Sequence, residues 1–598
     1  MNIIVDRLRL FLIIKYFNKK IEIFYLFKGK LHNFYLIIFK LLGLKVNHLT
    51  WNFLEIKNSE GFNNFFDIEF YKSYEIFKNF NYQDKFFENY YLKNILRQKL
   101  DFSNFKPLWS FYLADVISFK FLNFENKVII YLPNSELDKY IYNYFYNKKI
   151  KIYLYKKYKF KKYILFLKNY LKLQLKKFYY LLKQYFKKSE YKLENTKICF
   201  EFAYIQNNLN NILNLSNFPK NYVFCERSLK DLNSIDKQLS DTKISKNFYY
   251  LLNPKKKLRG NIFNEITQKQ KKIPIKYNNL FECLKYEEFV LEKNLWKSFF
   301  KKTNTKVYVT SYYTDYQCAA AKAISELGGC TIFIQLSFYE RPGIEIIPNS
   351  DVYFYLTNKE KFNEKRIQLN NKFFIKSGFI NDFNYPKFKS KADQIKDKLK
   401  KNGATKIIGF FDQGYKKDGR WNHGYEVSCK NYEFFIKKLI KYEWLGLIIK
   451  PKIAGEIRIK LKKIEKLLDK AISTNRCIIV DEGTDNHKKN FDFPPPLISS
   501  ACDISIHDSL VSATAGMESI AAGNYVFFLD DTGFNNSTIS KIEKKIVFNN
   551  LNTMWVEIIS YLKNEKDIAG LFKNISEFIN KNNENNSFNK ILHFCNEL

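Results

Sequence analysis

Residues Asp503 to Asp531 read DISIHDSLVSATAGMESIAAGNYVFFLDD and are the most informative stretch of the sequence. The apolar run Asp503–His507 predicts a strand, and the small residues of Ala513–Ala522 predict a short helix that ends at Gly523. A second apolar run, Tyr525–Leu529, predicts the next strand. Strand, helix and strand in this order are the repeating unit of a parallel sheet with crossover helices.

The same alternation extends upstream of this stretch and divides into two series. Strands of the first series are predicted at Lys197–Phe202, Tyr222–Cys225, Lys306–Thr310, Cys330–Ile334 and Val352–Tyr355. A polar, lysine-rich passage, Asn381–Asn402, leads to the second series. Further strands of the second series are predicted at Lys406–Phe411, Leu445–Lys450 and Arg476–Val480. We therefore predict an α/β protein with Rossmann-like domains at 191–385 and 386–560, followed by a helical tail at 561–598.

The charge of the chain is strongly positive. Its 598 residues include 99 Lys and Arg against 60 Asp and Glu, a formal net charge of +39. A field of this sign attracts partners that carry phosphate. Lys, Asn, Ile, Phe and Tyr, which AT-rich codons favour, are abundant together, so codon usage accounts for part of the lysine excess.

The nine cysteines are scattered, odd in number and without the paired spacing of a metal site. This pattern predicts reduced, mostly buried thiols and a cytoplasmic protein.

Residues 1–190 form an aromatic, basic accessory region in which only two strands are predicted, Lys127–Leu132 and Lys149–Tyr155. At 161–188 apolar residues recur near helical spacing among many lysines, with no acidic residue before Glu190. This pattern predicts a basic amphipathic helix that either packs on the protein's own core or lies on an anionic membrane surface. No uncharged apolar run reaches the roughly 18 to 20 residues of a membrane span, so any contact with the inner face of the cell membrane is expected to be peripheral.

The loop after the strand Asp503–His507 carries Asp508, Ser509 and Ser512. Unpaired N–H groups at a helix start bind phosphate together with nearby hydroxyls, and open α/β sheets bind ligands at the carboxyl ends of their strands. Glu518, one turn into the helix, is placed to accept hydrogen bonds from ribose or sugar hydroxyls. Alternatively, Ser512 is only an N-cap and Glu518 only a surface residue.

This succession of strand, serine-containing loop, small helix, Glu, Gly and a strand ending in acidic residues resembles the donor-binding half of GT-B glycosyltransferases. It is especially similar to enzymes of capsule, lipopolysaccharide and teichoic-acid-type biosynthesis, over roughly residues 300–560. The resemblance implies two Rossmann-like domains facing a cleft, with a CMP- or UDP-type sugar donor on the second domain. It implies transfer of the sugar to a surface polysaccharide or lipid-linked acceptor. No HxxxH or CxxC pattern indicates a tightly bound metal, and the pair Asp530 and Asp531 suits either Mg2+ or a strand-end loop facing the donor. We predict transfer without a metal and without a further cofactor.

The resemblance also assigns donor-binding residues at the strand ends of the second domain. A glycine-containing loop follows Lys406–Phe411, and Lys452 follows Pro451 near the point where similar enzymes have a His-Pro element. Lysine in this position can neutralise a diphosphate as a point charge. Alternatively, it is ordinary surface charge of a lysine-rich protein. The predicted donor-binding residues are Gly414, Lys416, Arg420, Lys450, Lys452, His507, Ser509, Ser512, Thr514 and Glu518.

The first domain departs from the family pattern at its cleft-facing loop. Gln335, Leu336 and Ser337 stand where similar enzymes have Gln-His-Gly, so no catalytic imidazole carries over. Asp315 and Glu340 are the candidates for a general base that deprotonates the acceptor hydroxyl, although each also suits an ordinary loop residue.

Two other functions fit part of the pattern. Transfer of a polyol phosphate from a CDP-linked donor uses a similar fold and leaves a phosphodiester instead of a glycosidic bond. Positive charge and aromatic residues also suit nucleic-acid binding. However, no RNA- or DNA-binding motif occurs, and nucleic-acid binding gives no reason for paired Rossmann-like domains, so no nucleic-acid partner is predicted.

Overall fold

A computed structural model describes residues 2–5, 8, 12, 21–25, 31–48, 128–132, 151–154, 167–175, 197–201, 222–226, 248–250, 280–311, 315–338, 350–357, 372–380, 382–413, 425–452, 455, 457–480, 493–508, 510, 513–530, 537–580 and 587–598. The chain divides into two compact units. Unit 1 comprises 1–191, 258–298 and 314–322, and unit 2 comprises 192–257, 299–313 and 323–598.

Unit 1 contains a parallel sheet that the sequence predicted only in part. Its strands are β1 (Asn2–Val5), β2 (Glu22–Tyr25), β3 (Lys45–His48), β4 (Val128–Leu132) and β5 (Lys151–Leu154), in the order β3-β2-β1-β4-β5. The two predicted strands, β4 and β5, are confirmed. The order reverses between β1 and β4, so this sheet has the strand order of a doubly wound fold.

The N-terminal part of unit 1, residues 1–191, has two described helices outside the sheet. Helix α1 (His32–Leu41) connects β2 to β3 and buries Phe39 against Ile3 and Val5. Helix α2 (167–175) is the described part of the helix predicted at 161–188, whose two ends lie outside the described residues. Within the described ranges, no helix is long and apolar enough to cross a membrane.

The first sheet of unit 2 has seven parallel strands. They are β6 (Ile198–Glu201), β7 (Tyr222–Glu226), β8 (Phe248–Tyr250), β9 (Val307–Thr310), β10 (Cys330–Ile334), β11 (Val352–Tyr355) and β12 (Phe373–Lys376), in the order β12-β11-β10-β9-β6-β7-β8. Helix α3 (Leu280–Thr303) precedes β9, and α4 (Asp315–Ser325) connects β9 to β10. The central strands β6 and β9 are buried along their whole length, as expected for parallel strands covered on both faces. All five predicted strands are confirmed, and β8 and β12 extend the sheet at its two edges.

The second sheet of unit 2 has six parallel strands. They are β13 (Lys406–Phe411), β14 (Leu445–Lys450), β15 (Cys477–Ile479), β16 (Ile504–His507), β17 (Val526–Leu529) and β18 (Val547–Phe548), in the order β15-β14-β13-β16-β17-β18. The predicted strands are confirmed, and the two-residue strand β18 is added at the edge. The α/β class predicted from the sequence is therefore correct, with two Rossmann-like sheets in unit 2.

The remaining helices of unit 2 are α5 (Tyr385–Lys401), α6 (Tyr425–Lys441), α7 (Ile457–Lys460), α8 (Glu465–Ser473), α9 (Pro495–Ser500), α10 (Thr514–Ala521), α11 (Thr538–Ile542), α12 (Leu551–Leu562), α13 (Ile568–Asn580) and α14 (Ser587–Glu597). Helix α5 corrects the reading of Asn381–Asn402 as a connecting passage. Pro386 lies in its first turn, where proline removes no hydrogen bond, and Ala392 and Leu399 bury one face.

The last helix of the C-terminal tail, α14, packs into the core of the first sheet of unit 2. Ile591 and Leu592 of α14 are buried in the core of the seven-stranded sheet. At the start of α14, the Ser587 N–H donates to both carboxylate oxygens of Asp382 at 3.0 and 3.2 Å, and its hydroxyl donates to the same group. Gly378 has a φ of +86°, and a Cβ there would lie 2.6 Å from Ser587 Oγ. The chain therefore returns from the second sheet to complete the first.

The side chains of seven of the nine cysteines are described, and none of these seven forms a disulfide. Five of the seven are buried. Burial, with a smaller effect of the Asp351 charge, raises the pKa of the Cys330 thiol to about 12. The described thiols therefore suit structural packing, as predicted.

Candidate functional site

A hydrogen-bonded contact joins the carboxyl edges of the two sheets of unit 2. Phe338 ends the segment that follows β10, and Thr514 begins α10 after β16. The Phe338 N–H donates to Thr514 Oγ1 at 2.8 Å, and this hydroxyl donates to the Phe338 carbonyl at 3.3 Å. This contact therefore joins the segment after β10 of the first sheet to the start of α10 at the strand ends of the second sheet.

Each sheet also has a topological switch point on this edge. The strand order reverses between β6 and β9 in the first sheet and between β13 and β16 in the second. Open α/β sheets bind ligands in the crevice outside the carboxyl ends of such strands. Polar side chains at these four strand ends are therefore the candidates for ligand contacts.

Asp412, directly after β13, is the centre of a buried polar cluster. Its Oδ2 accepts hydrogen bonds from Lys460 Nζ at 2.7 Å and from the Tyr432 hydroxyl at 2.9 Å. Its Oδ1 accepts from the Lys452 backbone N–H at 2.6 Å. The side chains of the Asp412–Lys460 ion pair are fully buried, a position that requires such additional hydrogen bonds. Asp412 therefore connects the start of the loop after β13 to the loop after β14.

The two lysines predicted to bind donor after β14 are placed differently. Lys450 is buried, with 7% of its surface exposed, and its Nζ donates to the Pro451 carbonyl at 3.3 Å. Lys452 is exposed, and Asp412 fixes its backbone. Lys452 is therefore the more exposed of the two lysines.

His507 lies in the core beneath the edge rather than on the cleft surface. Its ring stacks on Phe411 with centroids 4.5 Å apart, and 1% of the residue is exposed. The absence of a side chain at Gly516 makes room for it, because a Cβ there would lie 3.3 Å from His507 Cγ and 2.5 Å from Phe528. Burial lowers the pKa of His507 to about 3, so the imidazole is neutral. The sequence predicted that His507 contacts the donor, but its ring is buried and has no exposed atom for such a contact.

The loop after β16 begins at a second buried carboxylate. Asp508 Oδ1 accepts from the Asn431 side-chain amide at 2.7 Å, and the Asp508 N–H donates to the Phe411 carbonyl at 3.0 Å. Asn431 and Tyr432 are consecutive residues of α6, so this one helix holds the strand ends of both β13 and β16. These hydrogen bonds fix the strand ends on both sides of the switch point of the second sheet, as far as Asp508.

Helix α10 presents its first turn and Glu518 at this edge. Its N-cap residue, Ala513, makes no side-chain capping hydrogen bond. Glu518 is partly exposed, and Gly523 with a φ of +86° ends the helix region as predicted. Burial, and then the negative charge of Glu518, hold the pKa of Tyr385 well above its ordinary value. Glu518 therefore interacts electrostatically with Tyr385, the first residue of α5.

The structure adds a carboxylate at the switch point of the first sheet. Glu201, the last residue of β6, is 5% exposed and accepts hydrogen bonds from the Thr310 hydroxyl and, at 3.4 Å, from the Tyr308 hydroxyl. Both hydroxyls belong to the adjacent strand β9. Sequence reasoning missed Glu201, although a single acidic residue ending an otherwise apolar strand was the available signal.

Gln335 is the first residue of the segment that stands where similar enzymes have Gln-His-Gly, and its side chain links two loops. Its Oε1 accepts from the Leu356 N–H at 3.2 Å, and its Nε2 donates to the Ser337 carbonyl at 3.0 Å. It therefore joins the loops after β10 and β11, next to Phe338.

Several predicted site residues cannot be located in the described part of the chain. Glu340, Gly414, Lys416, Arg420, Ser509 and Ser512 lie outside the described residues. Asp315 is the first residue of α4, and only its backbone is described. Within the described ranges, no three His, Cys, Asp or Glu residues are grouped as metal ligands.

Two parallel Rossmann-like sheets with facing carboxyl edges define a fold of the GT-B type. No protein-family model and no curated protein matches the chain. Among solved structures, it is similar to the UDP-GlcNAc 2-epimerase from Neisseria meningitidis bound to UDP-GlcNAc, at 12% identity and a TM-score of 0.40 over 67% of this chain and 98% of that chain.

Two further solved structures are of the same kind. They are the UDP-N-acetylglucosamine 2-epimerase from Rickettsia bellii (14% identity, TM-score 0.42, 68% of this chain and 96% of that chain) and the UDP-GlcNAc 2-epimerase from Methanocaldococcus jannaschii (11% identity, TM-score 0.40, 67% of this chain and 99% of that chain). These structural neighbours are enzymes that act on nucleotide sugars.

Proposed function

We propose that the chain is a GT-B-type glycosyltransferase that moves a sugar from a nucleotide-activated donor to a surface-polysaccharide or lipid-linked acceptor. The observation that carries this proposal is the contact between Thr514 and Phe338. It brings the start of α10 against a strand-end loop of the other sheet. A donor on the second sheet and an acceptor on the first would then be held in reacting geometry, which converts a bimolecular step into an effectively unimolecular one.

The donor phosphates would bind at the start of α10 beside Lys452. The N–H groups of a first helical turn and the helix dipole favour an anion, and Lys452 adds an exposed positive charge. Asp412 supports this arrangement because it fixes the Lys452 backbone. Glu518 would accept hydrogen bonds from a ribose or sugar hydroxyl. Further contacts are proposed for Gly414, Lys416, Arg420, Ser509 and Ser512.

The chemistry requires a base on the acceptor side. A carboxylate would take the proton of the acceptor hydroxyl as its oxygen attacks the anomeric carbon, and the bond from that carbon to the donor phosphate oxygen would break. Asp315 and Glu340 are the candidates from the sequence. Glu201 joins them because it lies at the switch point of the first sheet. Lys452 and the α10 dipole would stabilise the negative charge on the departing nucleotide.

The proposal is tested by incubating the full chain with UDP- and CMP-linked sugars, with and without oligosaccharide or lipid-linked acceptors. We expect acceptor-dependent release of nucleotide and a new glycosidic bond. An epimeric sugar nucleotide formed without acceptor would replace the proposal with an isomerase. A phosphodiester product from a CDP-linked polyol would replace it with a phosphotransferase.

A matched pair of lysine variants tests the donor site itself. Lys452→Gln is expected to weaken nucleotide binding about tenfold or more in calorimetry, because it removes a charge-assisted contact to phosphate. Lys441→Gln changes an exposed lysine at the end of α6 and should leave binding unchanged. Equal binding by both variants would remove Lys452 from the donor site.

A further inference from the structure

Exposed apolar side chains are concentrated in unit 1. Among the described residues, nine of the thirteen large hydrophobic side chains that are exposed lie on two segments, 31–42 and 167–175. They are Leu31, Phe34, Ile37, Leu41 and Leu42 on the first segment, and Leu167, Tyr170, Leu171 and Leu175 on the second. Single exposed apolar residues are ordinary on a protein surface, whereas such clusters mark an interaction surface.

Helix α1 is apolar on two sides. Its inner side contributes Phe39, which is fully buried in the core of the unit 1 sheet. On the opposite side, Phe34, Ile37 and Leu41 follow each other at helical spacing and are 57%, 59% and 80% exposed. We call these three residues the outer face of α1. Because the inner side already serves the core, the outer face has no role in packing the sheet.

Helix α2 exposes the stripe that the sequence predicted. Leu167, Leu171 and Leu175 are four residues apart and are 58%, 53% and 65% exposed, whereas Leu173 is 5% exposed. We call the three exposed residues the leucine stripe of α2. For this described part of the helix, the stripe therefore does not pack on the protein's own core.

The charged residues of the two described helices have one sign. Lys40 lies on α1, Lys168 and Lys172 lie on α2, and all three are exposed. The sequence has no acidic residue between Glu22 and Glu55 or between Asp138 and Glu190. A second copy of this chain, with a formal net charge of +39, would bring like charges together. An anionic bilayer supplies an apolar layer and negative headgroups together.

We propose that unit 1 binds the surface of an anionic lipid bilayer through the outer face of α1 and the leucine stripe of α2. The apolar side chains enter the boundary between headgroups and acyl chains, and the lysines extend to the lipid phosphates. This inference goes beyond the proposed function, because it concerns where the chain binds and not what reaction it catalyses. It would place the enzyme beside a lipid-linked acceptor.

Co-sedimentation of the full chain with vesicles tests the proposal. We expect binding to vesicles of phosphatidylcholine mixed with phosphatidylglycerol, weak binding to phosphatidylcholine alone, and loss of binding as salt rises. The triple variant Phe34→Ser, Ile37→Ser, Leu41→Ser should lower the vesicle partition coefficient about tenfold or more, and so should Leu167→Ser, Leu171→Ser, Leu175→Ser. Lys40→Gln, Lys168→Gln and Lys172→Gln together should lower it on the order of a hundredfold.

The matched control removes exposed apolar side chains from unit 2. Ile459 and Val556 are 66% and 67% exposed, and Ile459→Ser with Val556→Ser should leave vesicle binding unchanged. The proposal is overturned if the wild-type chain ignores anionic vesicles at low salt, or if the unit 1 variants bind as the control does. It is also overturned if those variants abolish a dimer in sedimentation equilibrium while vesicle binding persists, which would identify a second copy as the occupant. Nucleotide calorimetry on the same variants reports unit 2 separately, so failure of this proposal is distinguishable from failure of the proposed function.

Discussion

The Thr514 hydroxyl both accepts from the Phe338 N–H, at 2.8 Å, and donates to the Phe338 carbonyl, at 3.3 Å. A threonine hydroxyl has a single proton, so it cannot donate to a phosphate while it donates to Phe338. Thr514 was predicted from the sequence to bind donor. Its observed contacts instead join the two sheets of unit 2, and a phosphate contact by its hydroxyl would require this pairing to open.

Thr514→Val tests the contribution of this contact, because valine keeps the shape and removes the hydroxyl. Phe338 is 1% exposed, so its N–H would be left without a partner, at a cost of about 1 to 3 kcal/mol in the free energy of unfolding. Urea denaturation measures the loss, and Thr514→Ser should retain most of the stability. Thr553→Val, at an exposed position of α12, is the control and should cost less than about 0.5 kcal/mol. A Thr514→Val protein as stable as wild type would show that the contact contributes nothing.

Glu518→Gln tests the proposed hydroxyl contact to the donor, since it keeps the size and removes the charge. Loss of a charge-assisted hydrogen bond should weaken nucleotide-sugar binding by about 1.5 to 3 kcal/mol without unfolding unit 2. Calorimetry measures the affinity, and thermal unfolding checks the fold. Glu557→Gln, which changes a surface partner of Lys566, serves as the control. Wild-type affinity in the Glu518→Gln protein would assign Glu518 to the surface.

Asp412→Asn should be strongly destabilising, because it leaves the fully buried ammonium of Lys460 without its counter-charge. Breaking a buried pair in this way costs about 3 to 5 kcal/mol. Adding Lys460→Met should recover much of the loss, and this recovery separates the ion pair from the other contacts of Asp412. In contrast, Glu433→Gln breaks an exposed pair with Lys437 and should cost less than about 1 kcal/mol. Similar losses for Asp412→Asn and Glu433→Gln in urea denaturation would contradict this account.

His507 should make the stability of unit 2 sensitive to acid. Burial lowers its pKa to about 3 in the folded state, below the ordinary value, so the unfolded chain takes up the proton first as pH falls. The stabilisation is complete above the ordinary pKa and is lost progressively as pH falls toward the folded value. Between about pH 7 and pH 4 the loss from this residue is on the order of 3 kcal/mol.

The variant His507→Phe isolates this effect, because it keeps a ring against Phe411 and removes the titrating group. Its free energy of unfolding should fall less steeply than that of the wild type between the same two pH values. Parallel pH profiles for the two proteins would show that His507 does not titrate on unfolding in this range.

Much of the unit 2 fold was predictable because its signals are local. Each predicted strand is a short apolar run, such as Cys330–Ile334, bounded by turn residues, and parallel strands buried on both faces require such runs. The short helix α10 was predictable from its small residues and from Gly523. Unit 1 was harder, since its four-residue strands β1 to β3 lie among residues that are aromatic throughout and offer few turn signals.

The sequence by itself determined the α/β class, most strands of unit 2 and the apolar stripe of α2, because each depends on the spacing of neighbouring residues. Only the tertiary structure decided the long-range pairs, both those of the site and the one that anchors α14. Asp412 meets Lys460 from 48 residues away, Glu201 meets Thr310 from 109, Phe338 meets Thr514 from 176, and Asp382 meets Ser587 from 205. The periodic spacing of apolar residues along the chain does not predict which strand ends come together. The order of strands in a sheet is set by the packing of the whole unit.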